Sequence, residues 1–155
     1  MAEWNHESTR QVDQVIGAFF MVRTSLWEQL NGFDERFFVY YEEVDFSLRA
    51  RDAGFSSIYL DTAQAFHKGG GTSRQVLDMR LYYSLRSRIS YVRKHFATMY
   101  VKVLTATFLI VEPLTRLAWA ISRLRLAEFS ATTRAYRLLY SDLLTAQPQR
   151  QPAKR

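Results

Sequence analysis

Short apolar runs set off by turn residues make up the first half of this chain, and apolar residues at helical spacing make up the second. Residues 1–14 read as a polar lead-in, without the apolar run behind a basic patch that marks a signal peptide. Residues 15–22 are nearly all apolar and rich in β-formers, too short to cross a membrane, which predicts a buried strand ended by Arg23. Thr24 or Ser25 then caps a short helix reaching Leu30, with Glu28 at a capping-box position and Asn31-Gly32 as its stop. An aromatic stretch over 33–41 leads to Glu42, Glu43 and Asp45, acids that suit the positive end of a helix over 44–53 closed by Gly54. Residues 55–60 predict a second short strand and Asp61-Thr62 a turn.

Lys68 to Ser73 holds the chain's one glycine cluster, and Thr72 with Gln75 has the spacing of a capping box, so a loop feeds a helix start. Beyond it Leu81, Leu85, Ile89, Val92, Phe96 and Met99 recur at helical spacing, with Arg80, Arg88, Arg93 and Lys94 elsewhere around the wheel. Residues 103–111 are uncharged but far short of the roughly 20 needed to span hydrocarbon. Extending the run to 121 brings in Glu112, Pro113 and Arg116, and charges at mid-bilayer are expensive. The pattern therefore predicts a helical pair broken at Pro113, lying at an interface or packed on the domain, with Glu112 and Arg116 as an i,i+4 pair and Trp119 at interfacial depth. A last basic helix is predicted over 124–144, and a disordered polar tail over 147–155.

Composition adds one exclusion and one division. The 155 residues contain no cysteine, which removes disulfide scaffolds and Cys-ligated zinc. The formal charge of +6 is the sum of two unlike regions. Residues 1–79 hold seven basic and twelve acidic side chains, a net −5, while residues 80–155 hold fourteen and three, a net +11. Seventeen of the 21 basic residues are arginine, the side chain that grips phosphate bidentately, so the second region suits a phosphate-rich surface such as an anionic membrane. A nucleic-acid-binding module is the weaker reading, since basic helices interleaved with Tyr82, Tyr83 and Tyr91 carry no recognised nucleic-acid motif.

The acids at 42–45 are the strongest chemical signal. Asp45 and Arg49 stand one helical turn apart and predict an ion pair, which leaves Glu43 facing elsewhere. A carboxylate at a helix start stays ionised at neutral pH and is suited to accept a proton from a substrate hydroxyl. The plainer alternative is that all three acids cap the helix and pair with arginines, as structural ion pairs do. His67 suits a metal or a phosphate, or an ordinary structural role. The glycine cluster lacks the GxxxxGK[ST] order, so it is either a diphosphate approach at a helix start or a linker.

Taken in order, five blocks closely resemble the second half of family 2 glycosyltransferases, in particular the rhamnosyltransferase-like members. They are Gly17-Ala18-Phe19-Phe20-Met21-Val22-Arg23, Gly32-Phe33-Asp34-Glu35-Arg36-Phe37-Phe38, Tyr41-Glu42-Glu43-Val44-Asp45-Phe46-Ser47-Leu48-Arg49 with Ala53-Gly54-Phe55, His67, and Gly71-Thr72-Ser73. The resemblance covers about residues 15–96, and five ordered blocks are more specific than any one of them. It implies an α/β fold: a partial GT-A (Rossmann-like) glycosyltransferase domain over 15–79, followed by basic amphipathic helices over 80–146.

The resemblance also implies an inverting transfer from a nucleotide diphosphate sugar, for instance dTDP-rhamnose, to a lipid-linked or cell-envelope glycan, with Mg²⁺ or Mn²⁺. The general base falls at Glu43, where the family's motif has Asp, and the extra methylene moves the carboxylate by about 1 Å. Asp34 and Glu35 fall on the acceptor loop, Glu42, Asp45 and Arg49 support the base helix, and His67, Gly70, Gly71 and Thr72 lie near diphosphate and metal, with His67 as metal ligand. Family members carry a nucleotide-binding βαβ half ending in Asp-x-Asp ahead of this region; here residues 1–14 precede it and no Asp-x-Asp occurs. The expectation is an acceptor-side part whose nucleotide-binding half is supplied separately, placed peripherally or monotopically on the cytoplasmic face of a bacterial inner membrane. The rival expectation is a non-catalytic remnant or partner subunit.

Overall fold

The computed structural model describes residues 4–67 and 76–145. Gly70, Gly71, Thr72, the Thr72–Gln75 capping box and the tail over 147–155 lie outside the described residues. The chain divides into two compact units, Met1–Gly71 and Thr72–Arg155.

In the first unit, β1 (Arg10–Val12) pairs antiparallel with β2 (Ser57–Tyr59), with Arg10 opposite Tyr59, Gln11 opposite Ile58 and Val12 opposite Ser57. The lead-in thus contains a strand, tied further by hydrogen bonds from the Thr9 hydroxyl to Asp61 and from the Tyr59 hydroxyl to His6 O. The strand expected over 15–22 does not form. Gly17–Phe19 is a 3₁₀ turn, and Phe20, although extended at φ −122° and ψ 124°, belongs to no ladder among the described residues. Its apolar residues serve packing instead: Phe20 and Val22 lie against the buried Leu26, Phe46 and Ala50, and Phe33 and Trp27 complete an aromatic cluster around Phe46.

Helix α1 (Thr24–Gln29) starts from Arg23 without a side-chain cap, so the predicted Thr24 or Ser25 cap is not used. Its stop is the expected one. Asn31 and Gly32 both have positive φ, Gly32 N–H reaches back to Trp27 O, and a Cβ on Gly32 would lie 2.8 Å from the Trp27 ring. Helix α2 runs Glu42–Asp52, two residues earlier than the pattern predicts, with Glu42, Glu43 and Asp45 in its first turn and Arg49 and Arg51 in its last. Gly54 at φ +88° closes it, donating to Arg51 O while Phe55 N–H donates to Ala50 O.

The second unit is helical among its described residues: α3 (Leu77–His95), α4 (Thr98–Ala106), α5 (Glu112–Ser122) and α6 (Leu126–Thr145). Leu85, Ile89 and Val92 are buried as their spacing predicts, and Leu85 and Ile89 form a core with Tyr136 and Leu139 of α6. Pro113 does not break the helix. A π-helical turn, Thr107–Val111, joins α4 to α5 into one helix, Thr98–Ser122. Glu112 N–H donates to Thr107 O, and Pro113 has no N–H, so the carbonyls of Phe108 and Leu109 lose their α-helical partners. Tyr136 replaces one, its hydroxyl donating to Phe108 O at 3.1 Å, and the Tyr140 hydroxyl donates to Leu109 O. The expected Glu112–Arg116 pair forms at 2.8 Å.

Candidate active site

The backbone entering α2 is unusual. Tyr40 and Tyr41 are consecutive non-glycine residues at φ 66° and 71°, a conformation that costs of order 1–3 kcal/mol per residue and persists only when surrounding structure enforces it. Below these residues the helix is anchored, and Asp45 N–H donates to Tyr41 O at 2.9 Å. Asp45 is fully buried and Arg49 Nε donates to its Oδ2 at 2.8 Å, while the two guanidinium NH2 groups reach Leu30 O at 2.7 Å and Gly32 O at 2.8 Å. One arginine therefore clamps α2 to the carbonyls that end α1. Its guanidinium also lies 5.3 Å from the Phe46 ring centroid, so the clamp sits on the aromatic core.

Above the clamp stand Glu42 and Glu43, both half-buried. Each has a buried Oε2 without a hydrogen-bond partner among the described residues. Burial, opposed by the Glu42 backbone N–H and helped by the neighbouring Glu43 charge, raises the Glu42 carboxyl above its ordinary range. Glu43 lies against Gly17: a methyl group there would touch the Glu43 carboxyl carbon at 3.6 Å, so a larger side chain would displace it. Nothing in the apolar run over 15–22 marks Gly17 as the residue that leaves room for an acid 26 positions later.

Of the acceptor-loop candidates, Asp34 accepts hydrogen bonds from both Arg36 N–H and its guanidinium, at 2.6–3.1 Å, and this charge-assisted pairing raises Arg36 further. Glu35 is exposed beside it. His67 is exposed at the end of the described segment. Among the described residues no three His, Asp or Glu side chains converge to hold a metal ion. The structure thus brings Glu42, Glu43, Asp45 and Arg49 together on α2.

Segments of the chain are similar to known glycosyltransferases. Over 68 residues, 43% of this chain, it is 41% identical to an N-acetylglucosaminyl-diphospho-decaprenol L-rhamnosyltransferase of Mycobacterium tuberculosis, of which the match covers 22%. Over 83 residues, 54% of this chain, it is 31% identical to the rhamnosyltransferase WbbL of Escherichia coli, of which the match covers 31%. A low-salt glycan biosynthesis hexosyltransferase, Agl10, of Haloferax volcanii is 34% identical over 58 residues, 37% of this chain and 19% of that protein. The chain therefore matches about a fifth to a third of the length of these relatives, and the relationship is glycosyltransferase-like over that stretch. No protein-family model and no solved structure matches it.

Proposed function

We propose that this chain is the acceptor side of an inverting glycosyltransferase of GT-A type, with Glu43 as general base. The observation that carries the reading is the pair of buried, hydrogen-bond-free carboxylate oxygens at the start of α2, held in place by the Asp45–Arg49 clamp, in a chain with partial similarity to rhamnosyltransferases. The acceptor hydroxyl oxygen attacks the anomeric carbon of the donor sugar as its proton passes to the Glu43 carboxylate. The new C–O bond forms on one face while the bond to the diphosphate breaks on the other, its electron pair leaving with phosphate, and the anomeric centre inverts. The Glu43 Oε2, without a hydrogen bond among the described residues, is available to take the proton in this step.

By this reading the donor is a nucleotide diphosphate sugar such as dTDP-rhamnose, and the acceptor a sugar on a polyprenyl diphosphate or a related envelope glycan. The nucleotide-binding half, with any Mg²⁺ or Mn²⁺ site, comes from sequence beyond these residues, and the reaction belongs to the cytoplasmic face of a bacterial inner membrane. The test is label transfer from dTDP-rhamnose to an N-acetylglucosaminyl-diphospho-polyprenol by the protein completed with a rhamnosyltransferase nucleotide-binding half. Glu43→Gln is expected to lower the rate by about 100-fold or more. Transfer at the unaltered rate by Glu43→Gln would overturn the assignment.

A further inference from the structure

The helix Thr98–Ser122 is apolar on two sides at once. One side packs within its own unit, where Leu104, Phe108, Leu109 and Leu117 are half-buried and Pro113 and Ala120 are buried. The other carries Met99, Val103, Ile110, Val111, Leu114 and Ile121, each more than half exposed. A helix apolar all round belongs in a core or in lipid, and among the described residues of its unit nothing packs over the outward side of this one. At 25 residues it is also long and apolar enough to cross a membrane by length and composition.

Several of its hydroxyls bond within the helix, the buried Thr105 hydroxyl being an exception without a partner among the described residues. The hydroxyls of Thr107, Thr115 and Ser122 donate back to the helix's own carbonyls, at Val103 O, Glu112 O and Trp119 O, over 2.9–3.0 Å. Tyr136 and Tyr140 cover the carbonyls released by the π turn, and Glu112 is held between Arg88 and Arg116. Lys102, Arg116, Arg123 and Arg125 are exposed around this face, Arg116 paired with Glu112 and Arg125 with Glu128, and Arg123 lies 4.6 Å from the centroid of the exposed Trp119 ring. Basic residues beside exposed aromatic rings match anionic lipid headgroups.

We propose that this outward face beds in the surface of an anionic bilayer, with the helix lying in the plane of the interface. A spanning helix would carry Glu112 and Arg116 to mid-hydrocarbon, and through Arg88 it would pull in α3, which also bears Arg80, Arg86, Arg93 and Lys94. Lying flat leaves those charges at headgroup level or above. This inference does not depend on the glycosyltransferase reading.

The chain has no cysteine, so single cysteines report cleanly. Val103→Cys, Ile110→Cys and Ile121→Cys would each carry an environment-sensitive fluorophore, with Arg137→Cys on the exposed side of α6 as reference. With phosphatidylglycerol-containing vesicles the first three are expected to blue-shift together and to be quenched equally by shallow brominated lipids, while position 137 is unmoved. Binding should be about tenfold or more tighter than to pure phosphatidylcholine. Four results would overturn the proposal: no shift with vesicles, equal binding to both lipids, quenching depth that runs from position 103 to 121, or a shift that grows with protein concentration in the absence of lipid. The last of these would assign the face to a second copy of the chain.

Discussion

Each unit contains an acid shielded from water and held by arginine, and the two are used in opposite ways. Asp45 is fully buried, and its partner Arg49 also binds the carbonyls of Leu30 and Gly32, so the pair fixes the junction from which Glu42 and Glu43 project. Glu112 lies midway along an apolar helix, and its arginines, Arg88 and Arg116, come from α3 and from the next turn of the same helix. The first pairing sets a position. The second neutralises a charge midway along a largely apolar helix.

The largest expected effect separates these roles. Asp45→Ala leaves Arg49 without its counter-charge over an aromatic core and is expected to cost about 3–5 kcal/mol, enough to melt the first unit. Hydrogen exchange should report lost protection in α2 with α3 and α6 unchanged. Glu112→Ala should cost less, about 1–2 kcal/mol, because Arg116 is nearly half exposed and can turn to water. Equal losses in chemical denaturation would mean that the two pairings do the same work. Tyr136→Phe removes the donor to Phe108 O and should cost about 1 kcal/mol, with exchange at the π turn quickened locally.

The smallest effect depends on pH. Burial raises the Glu42 carboxyl, so its ionised form is the costly one in the folded protein. That cost is absent where the group is protonated in both folded and unfolded states, and it appears as pH rises through the folded-state value. Glu42→Gln should therefore melt at a higher temperature than the parent at neutral pH and at the same temperature near pH 3, where a carboxyl of ordinary pKa near 4.3 is protonated anyway.

Local rules were enough for some of this. The acids opening α2, its stop at Gly54, the Asn31-Gly32 stop of α1 and the i,i+4 pairs Asp45–Arg49 and Glu112–Arg116 are all legible because each depends on residues within a few positions. The unused Thr24 or Ser25 cap is a local miss, while the larger failures depend on distant partners. Residues 15–22 have the composition of a strand, but a strand needs a neighbour, and the ladder forms instead between β1 and β2, which lie 45 or more positions apart. Pro113 reads as a break because a lone helix would break there; the hydroxyls of Tyr136 and Tyr140, on another helix, satisfy the carbonyls it strands. The clamp is half legible in the same way: spacing gives Arg49 to Asp45, and only the fold gives Arg49 to Leu30 and Gly32.

The central claim is that Glu43, and not its neighbour, takes the acceptor proton, and the most direct measurement is the turnover rate of Glu43→Gln beside that of Glu42→Gln in the same completed enzyme. The account predicts a loss of about 100-fold or more for Glu43→Gln with acceptor binding retained, and a loss within about tenfold for Glu42→Gln. The reverse order, or two variants that both turn over at the parent rate, would contradict it.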